Sequence, residues 1–443
     1  MPRLSQHLQA KLTMSLLLTL DLLGMIVLMI LGVPVTFAIL GAALVYYTLH
    51  PDTSTLIMMQ QVQTALRSFP LLAIPFFILA GTTMARGGIA ERIVSFADAL
   101  VGHWRGGLAQ VGVLNSLIMG SMTGSAIADA AVDSKVLVPE MRKHGYSLSF
   151  ASVISAASSV IAPVLPPSTS MIIFGLLGSV SVAKLFMGGV IPALLIAVVL
   201  MATVAVISRL RGYVPVRAKR LPASEIMRSF KECFWALMMP VLLLLGLRAG
   251  IFTITELAAM AALYTLIVSG LIYRSVSLRD VGVLFKETAR TTSAVLIIIG
   301  ASASFSYIFA IEQVPVHVIE LLASVSSSPI VIMLCLNIAL LLMGMIIEGA
   351  AIMILAAPIL VGIANHFGID PVHMGVMVVV NLTIGTLTPP VGAVLYTVCA
   401  ITGCRTGEFI RELLPFLGAL LAVLLAITFY SPLILALPNW MYQ

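Results

Sequence analysis

The stretch "ASSVIAPVLPPSTSMIIFG", residues 157–175, sets two adjacent prolines and a run of hydroxyls inside an otherwise apolar segment. A second stretch, "VNLTIGTLTPPVGAVLYTV" (380–398), does the same, and Pro389 lies 223 positions after Pro166 (389 − 166) in a chain of 443 residues. Proline lacks an N–H and its ring clashes with the preceding turn, so two in succession open a helix. The surroundings show what kind of helix is being opened. The chain is 60% hydrophobic and 9% charged, which no soluble domain of this length can hide. Apolar runs about as long as a bilayer is thick recur from end to end. The sequence therefore predicts an all-α polytopic membrane protein. In hydrocarbon each freed amide or carbonyl is costly unless protein, water or an ion meets it, so a broken helix marks a place where something does.

Several function classes are excluded. No polar segment is long enough for a soluble domain, so any substrate-capturing or energy-supplying domain sits on another chain. Cys233, Cys335, Cys399 and Cys404 lie in or beside apolar runs with no zinc or redox spacing, and the seven histidines form no metal-spaced set. The net charge of +6 is split among short loops and is no nucleic-acid footprint. No P-loop, G-x-S-x-G or H-E-x-x-H occurs, so an enzyme is disfavoured. Arg3 and Lys11 precede the first apolar run as in a signal peptide. No small-residue cleavage site follows, and Asp21 interrupts the run, so a retained first span is expected.

Basic residues mark the cytoplasmic loops. The densest group, from Arg209 and Arg211 through Arg217, Lys219 and Arg220 to Arg228 and Lys231, places a linker over 208–232 inside. Two apolar runs, roughly 233–247 and 255–272, return the chain to the same side at Arg274, Arg279, Lys286 and Arg290. Shifted by 223, Arg142 and Lys143 become Asn365 and His366, so corresponding loops differ in basic charge, as opposite orientation requires. Gly145 maps onto Gly368, Ser158 onto Asn381, Ser125 onto Glu348, and the amphipathic stretch 54–68 onto 277–291. The economical reading is an inverted repeat of 1–207 and 233–443. Each half carries a re-entrant hairpin (about 106–141, entering from inside, and about 329–365, from outside) and a Pro-broken transmembrane helix (150–181 and 374–401). The runs 16–31, 35–49, 70–84, 185–207 and 413–436 read as single crossings, an arrangement that puts Arg3 and Lys11 outside, against the usual bias; either the N-terminus is outside or one early segment does not cross.

The candidate site follows from the breaks. Unwound carbonyls with hydroxyl and amide oxygens form a cage suited to a hard cation such as Na+, and half-helix N-termini suit an anionic substrate. The first break offers Ser158, Ser159, Pro166, Pro167 and Ser168, with Thr169 and Ser170; the second offers Asn381, Thr383, Thr386, Thr388, Pro389 and Pro390. The first hairpin tip, "GSMTGSAIADA" (120–130), adds Gly120, Ser121, Gly124 and Ser125, and the second, "GMIIEGA" (344–350), adds Glu348 and Gly349. A simple proline kink explains one such break. Two at repeat-equivalent positions, each following a hairpin, favour a binding site. Asp129 and Asp133 stand one turn apart on one helical face, and intramembrane carboxylates are functional candidates by default. Asp129 either serves the site or caps the second hairpin arm, and Lys135 is expected to pair with Asp133 rather than meet an anionic substrate. For Glu348 a site role and a role in satisfying open backbone both stand.

The stretches "FPLLAIPFFILAG" (69–81), "GSMTGSAIADA" (120–130), "ASSVIAPVLPPS" (157–168) and "GIDPVHMGVMVVVNLTIGTLTPPVG" (368–392), in this order, resemble the large membrane subunit of tripartite ATP-independent periplasmic (TRAP) transporters. With their spacing, the similarity covers nearly the whole chain. The resemblance implies a bacterial inner-membrane permease with an elevator mechanism, in which the hairpins and broken helices slide against a scaffold of the other spans. It implies sodium-coupled uptake of a small organic acid, with Na+ as coupling ion and no other cofactor. The implied partners are a small four-helix membrane subunit and a periplasmic substrate-binding protein. Where relatives usually have Gly-Ser after an Asp-Ala-Ala run, this chain has Asp133-Ser134-Lys135, which adds two charges near the site. Two other readings remain at this stage: a stand-alone sodium- or proton-coupled carboxylate symporter, and a non-transporting scaffold subunit. For either transporter the driving ion stays open between Na+ at the breaks and a proton on Asp129 or Glu348. Under the cation-site reading, Ser158→Ala and Asn381→Ala weaken cation dependence more than folding.

Overall fold

The apolar runs become helices because a helix satisfies the backbone of each segment within itself in hydrocarbon. A computed structural model describes residues 16–442 apart from 30, 52, 216, 218 and 251, so Arg3 and Lys11 lie outside the described residues. Among the described residues all regular structure is helical. The short apolar helices α1 (Leu16–Met29) and α2 (Val35–Leu49) are followed by the amphipathic α3 (Thr55–Leu66). A 3-10 turn at Phe69–Leu72 then leads into α4 (Ala73–Arg86) and α5 (Ile89–Val101). Helices α6 (Gly107–Thr123) and α7 (Ala126–Lys143) form the first hairpin, and α8 (Leu148–Ser158) and α9 (Thr169–Leu177) flank the first break. The long α10 (Val182–Leu210) completes the first half. Then come α11 (Ala223–Ala249), α12 (Ile254–Ile267), α13 (Leu278–Ile311) and α14 (Val314–Val325). The second hairpin is α15 (Pro329–Gly344) with α16 (Gly349–His366), and the second broken helix is α17 (Pro371–Gly385) with α18 (Ala393–Thr402). The chain ends in α19 (Thr406–Phe429) and α20 (Pro432–Met441).

Helix boundaries in the two halves coincide at the 223-residue shift. The ends of α7 land on the ends of α16 (349 − 126 = 366 − 143 = 223), and Thr169 lands one residue before α18. The main departure has a local cause. Pro70 separates α3 from α4, whereas Ser293 occupies the matching position in α13, which runs unbroken for 34 residues.

Seven helices among the described residues are long and apolar enough to cross a membrane. Three details correct the sequence-based layout. The run 413–436 is two helices, divided where Pro432 starts α20. The stretch after Arg86 contains α5, whose buried Ile89, Ile93, Ala97 and Val101 recur at helical spacing while Glu91 faces out. The matching α14 meets α15 at a bend of 116°. Arg248 and Glu256 have local roles. Arg248 lies 4.8 Å over the Trp440 ring, and Glu256 completes a capping box with Thr253.

The hairpins are packed crosswise. The second arm of the first hairpin, α7, lies against α8 of its own half and α18 of the other, while α16 lies against α17 and reaches α9. Around this core stand α4, which packs on α12, and α13, which packs on α2, α3 and α4. Residues separated by half the chain thus share one interior.

Candidate functional site

Each hairpin tip is seated on a helix break by glycine. A Cβ on Gly120 would lie 2.8 Å from Ala162 Cα, and one on Gly385 would lie 2.9 Å from Gly344 Cα, so backbone meets backbone at both places. Hydrogen bonds complete the seats. The Thr169 hydroxyl donates to the Gly124 carbonyl (3.2 Å), and the Val391 amide donates to the Met345 carbonyl (2.9 Å). At the first break Ser168 restarts the helix as the N-cap of α9, accepting from the Met171 amide at 3.1 Å and donating to the Pro163 carbonyl. The Pro166–Pro167 and Pro389–Pro390 bonds are both cis. Ser125 caps α7 by accepting from the Ala128 amide (3.5 Å), so of the two roles open to Asp129 the cap falls to Ser125.

The two tips and two breaks surround one cavity of about 480 Å³. Gly124 and Ser125 line it from the first tip, and Thr169 and Ser170 from the first break. Glu348 and Gly349 contribute from the second tip, Thr383 and Thr386 from the second break. The N-terminal turns of α7, α9 and α16 therefore all border this space, each with amides lacking an intrahelical partner. The remaining wall comes from residues the sequence reading had not assigned to the site: Thr82 and Arg86 of α4, and Glu287, Thr291 and Val295 of α13. Arg86 and Glu287 form an ion pair, with Nε to Oε2 at 2.8 Å, although they are 201 residues apart. Thr291 follows Glu287 by one turn, which puts a second polar side chain on this face of α13.

Other predicted residues sit off the cavity wall. The hydroxyls of Ser121, Ser159 and Thr388 donate to the carbonyls of Ile118, Ala156 and Gly385 (2.6, 2.8 and 2.8 Å), holding backbone beside the tips and breaks. Pro166 and Pro167 face a separate small apolar space bordered by Phe77, Phe186 and Leu243, and Pro389 and Pro390 are exposed. Asn381 and Ser158 tie their helices to the hairpins. Asn381 Nδ2 donates to Asn337 Oδ1 (2.8 Å) and to the Asn337 carbonyl (2.9 Å), while its own Oδ1 is buried without a hydrogen-bond partner. The Ser158 hydroxyl donates to the Ile154 carbonyl (2.8 Å) and stands 2.8 Å from that of Ser116. Asp129 is buried behind the tip. The expected Lys135–Asp133 pair does not form. Lys135 is exposed, because two residues along a helix turn it to the opposite side, and Asp133 accepts instead from Asn115 and Ser116.

These ties give a stability prediction. Asn381→Ala removes the donor that satisfies both Asn337 acceptors, and buried polar groups left unpaired cost about 1–3 kcal/mol. The thermal unfolding midpoint of the purified protein is expected to fall, and more than for Thr397→Ala, whose hydroxyl bonds only within its own helix.

Comparison with known proteins places this geometry. Residues 22–433 match the family model described as the tripartite ATP-independent periplasmic transporter, DctM component. The chain is 37% identical over 421 residues to the sialic acid TRAP transporter large permease protein SiaM of Vibrio cholerae, covering 95% of this chain and 98% of that one. It is 36% identical over 412 residues to the 2,3-diketo-L-gulonate large permease YiaN of Escherichia coli (92% and 96% covered). It is also 36% identical over 408 residues to the C4-dicarboxylate large permease DctM of Pseudomonas aeruginosa (91% and 93%). Among solved structures its fold is similar to the YdaH transporter of Alcanivorax borkumensis, with a TM-score of 0.61 at 16% identity over 89% of this chain and 95% of that one. MtrF of Neisseria gonorrhoeae is also similar, with a TM-score of 0.63 at 14% identity over 89% and 93%. The paired hairpins and broken helices thus belong to a member of the DctM family, the large permease subunit of a TRAP transporter and a multi-pass protein of the bacterial inner membrane.

Proposed function

We propose that this permease imports a small organic acid, delivered by a periplasmic binding protein, by cotransport with Na+, and that it does so together with a small four-helix membrane subunit. Its halves are an inverted repeat, and the hairpins with α8–α9 and α17–α18 move as one body against α4 and α11–α13. The observation that carries this reading is the single cavity in which both tips, both breaks and the flanking α4 and α13 meet. Three helix N-termini and Arg86 offer positive potential to an anion. The names of the relatives include sialic acid, a diketo-gulonate and C4-dicarboxylates, which have a carboxylate in common. Oxygens from Thr169, Thr383 and Thr386 on the cavity wall supply hard ligands of the kind Na+ takes, and the unpartnered Asn381 Oδ1 is a further such oxygen buried off the wall on the same broken helix.

The test is uptake of labelled organic acids into proteoliposomes containing this chain and its small partner, with and without an inward Na+ gradient and with and without the cognate binding protein. Uptake is expected only when both are present. Sodium-driven uptake without the binding protein would instead support a one-component carrier, and uptake indifferent to sodium would remove the cation role of the breaks.

A further inference from the structure

Behind the first tip, off the cavity wall, two carboxyl groups are buried without a basic side chain beside them. Asp129 and Asp133 are each 1% exposed and lie one turn apart on α7. Asn115 Nδ2 donates to Asp133 Oδ1 (2.6 Å) and the Ser116 hydroxyl donates to Oδ2 (2.9 Å), so Asp133 is solvated as a carboxylate. Asp129 Oδ2 and Asn115 Oδ1 are both buried with no hydrogen-bond partner. The nearby Ser116 hydroxyl donates to Asp133 and that of Ser158 to the Ile154 carbonyl. The helices packed on α7 bring no positive charge. Neither α6 nor α8 contains Asp, Glu, Lys, Arg or His, and α18 offers only Tyr396 and Cys399. On α7 itself Lys135 is exposed, while Glu140, Arg142 and Lys143 lie at its far end.

The second half shows that this join needs no carboxylate. There Asn381 links the broken helix to Asn337 of the hairpin arm, and Asn337 donates in turn to Thr428 of α19, all neutral groups, and the positions 223 residues beyond Asp129 and Asp133 are Ile352 and Ala356. The carboxylates of the first half therefore answer a different requirement. Two ionised carboxyls this close and this dry oppose one another, and one proton both removes a charge and supplies the missing donor.

We propose that Asp129 and Asp133 form a site for one proton in the first hairpin, with Asp133 as the carboxylate and Asp129 as the acid. Binding takes the pair from two negative charges to one. Resting on the import reading above, the proton loads and leaves as the hairpin changes sides, so uptake draws on a proton gradient as well as on sodium.

The site is tested by infrared spectroscopy of the purified complex, independently of transport. A protonated-carboxyl band that shifts in D2O is expected at neutral pH, and it should be lost in Asp129→Asn and in Asp133→Asn, with Glu348→Gln retaining it. Both substitutions are nearly isosteric, and size-exclusion profiles identify any variant that misfolds, in which case the other is read. A band that survives in both variants overturns the site. So does a missing band accompanied by a sodium-induced rise in thermal stability that is lost in Asp129→Asn, since the pair would then hold Na+. The coupling is tested in proteoliposomes with equal Na+ on both sides. A pH gradient alone is expected to drive uptake, with substrate-dependent acidification reported by a lumenal dye. Sodium-driven uptake with no such acidification overturns the coupling, whereas no uptake under any condition overturns the import reading and leaves the infrared result standing.

Discussion

Gly385→Val is expected to abolish uptake while the protein still inserts and purifies. A side chain at this position meets the Gly344 carbonyl carbon and Cα at 2.9 Å and its oxygen at 3.2 Å, and these are backbone atoms that cannot swing aside. The strain must therefore move the second hairpin relative to α17. Overpacking of an ordinary core costs about 1–3 kcal/mol. Here the displaced element carries Glu348 and Gly349, which line the cavity. A misplacement of the order of an ångström at a binding constellation lowers rates by roughly a hundredfold. The comparison is Gly362→Ala on α16, where no atom lies within 4 Å of the new Cβ and transport should be unchanged. Gly385→Val uptake equal to wild type, at equal protein in the vesicles, would mean that the tight seat of the hairpin is irrelevant to transport.

Arg86→Gln should raise the KM for a carboxylate substrate by about tenfold or more, the consequence of losing roughly 1.4 kcal/mol or more of favourable electrostatics. Arg86 is the one basic residue among those lining the cavity, and it is half-exposed and paired to Glu287. Removing the guanidinium leaves Glu287 as an uncompensated negative charge on the path of an anion. The double variant Arg86→Gln/Glu287→Gln removes that charge and should recover part of the loss. Without recovery, the arginine acts directly on the substrate rather than by masking Glu287. If Arg86→Gln transports with an unchanged KM, the anion does not pass this wall. Because the pair is solvent-reached, the wild-type KM should also rise with ionic strength.

What could be read from the chain and what could not divides along one physical line. Proline and glycine act on their own backbone, so the breaks at Pro166–Pro167 and Pro389–Pro390, the tips at Gly124 and Gly349, and the matching order of elements were legible without coordinates. Hydropathy likewise announced the membrane and most of the helices. The hidden features depend on which faces meet. Hydroxyls near the breaks look alike in sequence, yet Ser121, Ser159 and Thr388 stay on their own helices while Thr169 bridges to the first tip and, with Thr383, borders the cavity. Lys135 is two residues from Asp133 in the chain and on the other side of the helix in space. Arg86 had no assigned site role and Glu287 read as part of an amphipathic stretch, because the contact that makes them a cavity wall spans 201 residues. The sequence by itself determined the all-helical membrane fold, the two hairpins and the two broken helices, since each follows from local backbone chemistry in a medium without water. Only the tertiary structure decided which oxygens and charges converge on one cavity and which are buried behind it, since convergence depends on the relative placement of helices that no local pattern encodes.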